Sequence, residues 1–150
     1  MKQSRRIDPL LHRAQESEDA AARVLAERQS VLAQHEAQLR ELRRYADEYG
    51  QSQMAATSPA QLANRRAFLD RLQSAVDQQS RTVDNSRQTV EIERSRLLLA
   101  SRDKQVLEQL AASYRAQERV VDERRSQREL DDLGARRARL NALAAEQADA

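Results

Sequence analysis

The sequence predicts an all-α chain: a long antiparallel two-helix coiled coil, an αα-hairpin whose C-terminal helix overhangs the first. Three observations carry this. Apolar residues recur every seven positions through most of the chain, the repeat that keeps one face of a helix against a partner. Aromatic residues are 3% and charged residues 33% of the chain, with no Trp and one Phe, so an ordinary globular core is excluded. Only two Gly and two Pro occur in 150 residues, and Ala, Leu, Glu, Gln and Arg dominate, which argues for long helix over disorder. The expected organisation is a single coiled-coil domain over residues 1–150, with helix one over 8–50, a turn over 51–58, helix two over 59–133 and a tail over 134–150.

Helix one is expected to start where Asp8 precedes Pro9, an N-cap carboxylate followed by a residue whose fixed φ and missing N–H suit the first helical position. A seven-residue period then runs from Ile7 through Ala14, Ala21, Arg28, His35, Leu42 and Tyr49. Leu10, Val24, Val31 and Tyr45 follow three residues on, and Leu11, Leu25, Leu32 and Leu39 flank the stripe. Gly50 is placed as a C′ residue able to take a positive φ. The segment from Gln51 to Thr57 has no period. Ser58, Pro59 and Gln61 then form a capping-box pattern that opens helix two.

The stripe of helix two is Leu62, Leu69, Val76, Val83, Val90, Leu97, Lys104 and Ala111, with Leu72, Gln79, Ser86, Ala100, Leu107, Tyr114 and Val121 as partner positions. A short connection lets the helices fold back on each other. With the turn centred near residue 54, Leu42 is expected beside Phe68, Gln38 beside Leu72 and Leu11 beside Leu99, and helix two should lose its partner beyond about residue 104. Leu107, Leu110, Tyr114, Val121, Leu130, Leu133, Leu140 and Leu143 keep an apolar spacing there, which calls for another surface.

Several functions are excluded by counts. With no Cys there is no disulfide, thiol nucleophile or thiolate metal site, and the longest apolar run, Leu97 to Ala100, is far short of the roughly 20 residues that cross a bilayer. A soluble protein without a transmembrane segment is expected. The net charge of +2 comes from 26 basic and 24 acidic residues, so nucleic-acid binding is not implied. The two histidines, His12 and His35, lack the i, i+4 spacing of a helical metal pair, and no GxxxxGK[ST] or GxGxxG cradles a phosphate. No catalytic residue, metal or cofactor is expected; the chain is read as a binding protein and not an enzyme. Arg28, His35, Gln38, Gln79, Ser86 and Glu93 interrupt the stripe with polar groups, the kind of substitution that fixes register.

Of the four aromatic residues, Tyr45, Tyr49 and Phe68 cluster near the turn. Phe68, Leu72, Ala75 and Gln79 share one helical face, with Phe68 and Ala75 at its edge. Either this is a docking patch or the seam widens locally, and the pattern leaves both open.

These residues resemble the FliJ-type flagellar export proteins of the bacterial type III export apparatus. The resemblance rests on Gln38-x3-Leu42-x2-Tyr45-x3-Tyr49 closing helix one and Arg66-Ala67-Phe68-Leu69-x2-Leu72-x2-Ala75 opening helix two. Further parts are Arg102-Asp103-Lys104-x2-Leu107-Glu108-x-Leu110 with Tyr114, and Gln127-Arg128-Glu129-Leu130-Asp131-Asp132-Leu133-x2-Arg136-Arg137. It implies a stalk-like coiled coil that binds the flagellar export ATPase hexamer, the cytoplasmic domain of the export gate protein and the export chaperones. It places such a protein in the cytoplasm, peripherally at the inner-membrane base of the flagellum. By motif match the gate-binding residues are Gln38, Leu42, Tyr45, Tyr49, Phe68, Leu72, Ala75 and Gln79; Gln79 stands where some members carry His. A reading from another class is a structural spacer or scaffold that dimerises through its C-terminal helix.

Overall fold

The computed structural model describes residues 2–51 and 58–149, in two helices, α1 (Gln3–Gln51) and α2 (Pro59–Ala148). The aperiodic segment expected to form the connection falls, over residues 52–57, outside the described residues. Ser58 opens α2 as its spacing predicts. Its hydroxyl accepts from the Gln61 amide at 3.2 Å and its carbonyl from the Leu62 amide at 3.2 Å.

Three helix ends differ from the expectation. α1 starts at Gln3 and not at Asp8, and Pro9 lies inside it. The cause is long-range: the Ser4 amide and hydroxyl both donate to Glu118, at 3.1 and 2.7 Å, and Ile7 is 5% exposed. Packing thus extends the helix through a proline that has no N–H for the carbonyl four residues back. Gly50 is not a left-handed cap, because α1 runs through it and no described glycine has a positive φ. Likewise α2 does not end at Leu133; it continues through Gly134 to Ala148, so the expected tail is helical up to that residue.

Packing divides the chain into two units, Ala14–Arg102 and Met1–Arg13 with Asp103–Ala150. In the first, the hairpin unit, Leu39, Val76 and Val83 form the core, with Leu32, Leu42 and Ala46 packed against them. Val90 is buried on the same stripe of α2. The helices run antiparallel, since Tyr49 meets Phe68, Gln38 meets Gln79 and Glu36 meets Arg87. On α2 the predicted seven-residue stripe is buried or half-buried from Leu69 to Ala111. On α1 the second row of the seam is the one predicted to flank it, Leu25, Leu32 and Leu39, four residues after each stripe position. Val31 and Tyr45, three residues after, are exposed. Alternating steps of four and three keep a row on one face of the helix, and Tyr45 falls off that row.

The register also differs from the expectation. Gln38 bonds Gln79 and not Leu72, seven residues farther along α2; Phe68 lies against Tyr49 and Tyr45; and Leu99 is 58% exposed, outside any seam. The level pairing assumed that both helices end at the same height. Instead the Arg65 guanidinium reaches the carbonyls of Tyr49 and Gly50 at the end of α1, at 3.5 and 3.4 Å, so the first turns of α2 precede the level where α1 stops.

In the second, terminal unit, Ile7 and Ala111 are the buried apolar residues, Leu11, Leu107 and Tyr114 are half-buried, and polar contacts join the helices beyond them. Asp8 pairs with Arg115 at 3.3 Å, Ser4 with Glu118, and Lys2 with Asp122 at 3.0 Å. α2 therefore keeps its partner to Asp122, well past the expected limit near residue 104. Every described residue after Glu118 is exposed.

Candidate functional site

The eight residues singled out in the sequence all lie in the hairpin unit, and the structure sorts them into three settings. The first is a polar clamp. Gln79 replaces an aliphatic residue in the α2 stripe, and its amide donates to the His35 carbonyl at 3.0 Å and to Gln38 Oε1 at 3.2 Å. A polar side chain inside a seam is tolerated when its groups are bonded, and a bond across helices then favours this register over a slipped one. Beside it, His35 Nδ1 is buried without a hydrogen-bond partner among the described residues. Gln38, Gln79 and Leu42, together with Ala37 and Glu41, line a shallow, largely apolar groove.

The second setting is the aromatic cluster. Tyr49 and Phe68 have ring centroids 4.6 Å apart at 60°, Tyr45 meets Phe68 edge-on at 6.4 Å and 81°, and Tyr45 lies 6.5 Å from Tyr49. The edge-on arrangement sets the positive rim of one ring against the negative face of the other. Phe68 and Tyr49 are half-buried, whereas Tyr45 is 50% exposed. Phe68 thus packs across the two helices and does not stand clear of them. Tyr45, placed by its seven-residue spacing beside the stripe, is the ring that projects.

Leu72 and Ala75 make the third setting. Leu72 is buried at 9% and Ala75 half-buried on the same turn of α2, so Leu72 supports the surface from beneath. Two neighbours were not legible in the sequence. Arg65 closes the end of α1 with its guanidinium on two C-terminal carbonyls, the favoured place for a cation at a helix end. Glu41 lines the groove and also pairs with Arg44 at 2.7 Å. Neither breaks the pattern of a solvated charged face, so no sequence signal separates them from the other charges.

The chemistry available here is recognition: an exposed phenol ring, an apolar groove and two amide side chains. Among the described residues, no group of three or more His, Cys, Asp or Glu is placed to hold a metal ion, and no helix is long and apolar enough to cross a membrane. A family model described as flagellar FliJ protein matches residues 2–143, which takes in α1, α2 as far as residue 143 and all eight residues. No curated protein and no solved structure matches the chain.

Proposed function

The chain belongs to the FliJ family of flagellar proteins, and within the export role of that family we propose that it binds the export ATPase hexamer and the export gate and assists delivery of chaperones with their substrates. It acts by binding and not by catalysis, in the cytoplasm at the inner-membrane base of the flagellum. Gln38, Leu42, Tyr45, Tyr49, Phe68, Leu72, Ala75 and Gln79 make the gate-binding surface. In that surface Tyr45, Leu42 and Gln38 touch the gate protein, while Leu72 and Phe68 hold them in place.

The observation that carries this reading is Tyr45. A tyrosine ring that is 50% exposed, beside a groove of apolar lining, has surface to give to a partner, and Tyr is enriched among the residues that anchor interfaces. Its edge contact with Phe68 restricts the ring before binding, which lowers the ordering cost of the complex.

Two measurements on the full chain test the proposal part by part. Calorimetric titration with the cytoplasmic domain of the gate protein should show binding, and the ATP hydrolysis rate of the export hexamer should rise when the chain is added. Absence of heat in the first overturns the gate assignment. An unchanged rate in the second overturns the ATPase assignment.

A further inference from the structure

We propose that the seam of the hairpin unit carries a built-in opening point, where residues 18–28 of α1 and 93–102 of α2 part and re-close while the core from Leu39 to Val90 stays paired. The fully buried apolar residues of this unit are Leu39, Leu72, Val76, Val83 and Val90. Past Val90 the next seam position of α2 is Glu93, buried at 7%, and after it Leu97 and Ala100 are only half-buried. The antiparallel register set by Gln38 with Gln79 and Glu36 with Arg87 brings residues 18–28 of α1 to this level. There α1 supplies Glu18, Ala21, Val24 and Leu25, all half-buried, and Arg28, which is exposed at its stripe position. From Glu18 to Val31 no residue of α1 is fully buried. A segment with few buried apolar contacts opens at a lower free energy than the core beside it.

Glu93 adds a second reason, and Gln79 shows it by contrast. Both stand where the seam of α2 would take an aliphatic residue. Gln79 bonds across the seam, to the His35 carbonyl and to Gln38, so parting the helices there breaks bonds. Glu93 bonds along its own helix: the Arg96 guanidinium, three residues on and with a side chain that is 67% exposed, donates to its Oε1 at 2.8 Å. Opening the seam leaves that bond intact. A carboxylate withdrawn from water with no bond to the facing helix carries a desolvation cost that the closed seam does not offset, and opening returns the carboxylate to water. Little apolar burial is lost in exchange. Neither condition holds between Leu39 and Val83. The hairpin unit can therefore flex at this level while Tyr49 and Phe68 keep their packing at its other end.

The chain contains no cysteine, so pairs of introduced cysteines carry spin labels in the intact protein. Ala22→Cys with Leu98→Cys reports on the opening point and Arg43→Cys with Asp77→Cys on the core, all four at exposed positions. The first pair should show a wider spread of distances than the second, and Glu93→Leu should narrow the first spread and leave the second. Amide exchange should agree, because a helical segment without a partner is marginal in water. Residues 94–101 should be less protected than residues 76–83. Glu93→Leu should raise the protection of residues 94–101 about tenfold, the lower end of what one buried leucine contributes. Glu91→Gln removes a carboxylate from the same turn at an exposed position and should change neither reading. Equal spreads for the two label pairs overturn the proposal. So does Glu93→Leu that is protected no better than the wild type, or Glu91→Gln that is protected as well as Glu93→Leu.

Discussion

The two units hold α1 and α2 by different physics. In the hairpin unit the contact is chiefly a row of apolar side chains, Leu39, Leu72, Val76, Val83 and Val90, with a polar clamp at Gln79 and one ion pair across the helices, Glu36 with Arg87 at 4.0 Å. In the terminal unit only Ile7 and Ala111 are fully buried apolar residues among those described, and the helix start is tied by Ser4, Lys2 and Asp8 to Glu118, Asp122 and Arg115. Apolar burial holds no charge for acid to titrate or salt to screen, while ion pairs and bonds to a carboxylate do. The first unit should therefore set the stability of the protein, and the second should respond to solution conditions.

The comparison breaks most readily at Leu72. Leu72→Ala removes a buried side chain from the seam and should cost about 2–3 kcal/mol, the lower part of the range for such truncations, because a two-helix seam lets water in. Thermal unfolding measures it. A change near zero would place the stability of the protein elsewhere.

Glu118 provides the sharper contrast. The Ser4 hydroxyl and amide bond its carboxylate, Lys2 adds attraction, and together they hold its pKa below the ordinary glutamate value against opposing burial and Asp122. A lowered folded pKa means that the contribution is complete above the unfolded value and is lost as pH falls through the folded one. The protection of residues 3–8, measured as exchange corrected for the intrinsic slowing of amide exchange in acid, should fall at acid pH and in Glu118→Gln at neutral pH, with that of residues 76–83 unchanged. Equal responses from both segments would erase the distinction. The smallest effect belongs to Lys2→Ala, which removes an exposed pair and should cost no more than about 1 kcal/mol, less at high salt. Salt titration of the wild type and variant checks this.

How much of the molecule was legible follows from the range of each signal. The heptad stripe of α2 from Leu69 to Ala111 and the Ser58 cap are local patterns and appear as read, whereas Leu62, the first position of the stripe, is exposed because α2 there precedes the end of α1. The start of α1 was not, because the bond that extends it joins Ser4 to a residue 114 positions away. Register was misjudged for a deeper reason. A seven-residue period is unchanged by a shift of seven, so it fixes which face is buried and leaves the partner of Gln38 open between Leu72 and Gln79. The glycines misled in the opposite sense. Gly50 and Gly134 permit a helix to stop, yet continuing costs only about 1 kcal/mol each. Of the candidate site, the gathering of Tyr45, Tyr49 and Phe68 was readable from spacing. Which ring projects was not, since it depends on whether the seam follows the row three or four residues after the stripe.

The most direct test of the docking surface is the affinity of Tyr45→Ala for the cytoplasmic domain of the export gate protein, measured beside its melting temperature. Because Tyr45 lies outside the seam, melting should stay close to that of the wild type while binding weakens by about 2 kcal/mol, roughly thirtyfold, as for an interface anchor. Unchanged affinity in a variant that melts normally would contradict the account, and so would a large fall in melting temperature, which would return Tyr45 to the seam.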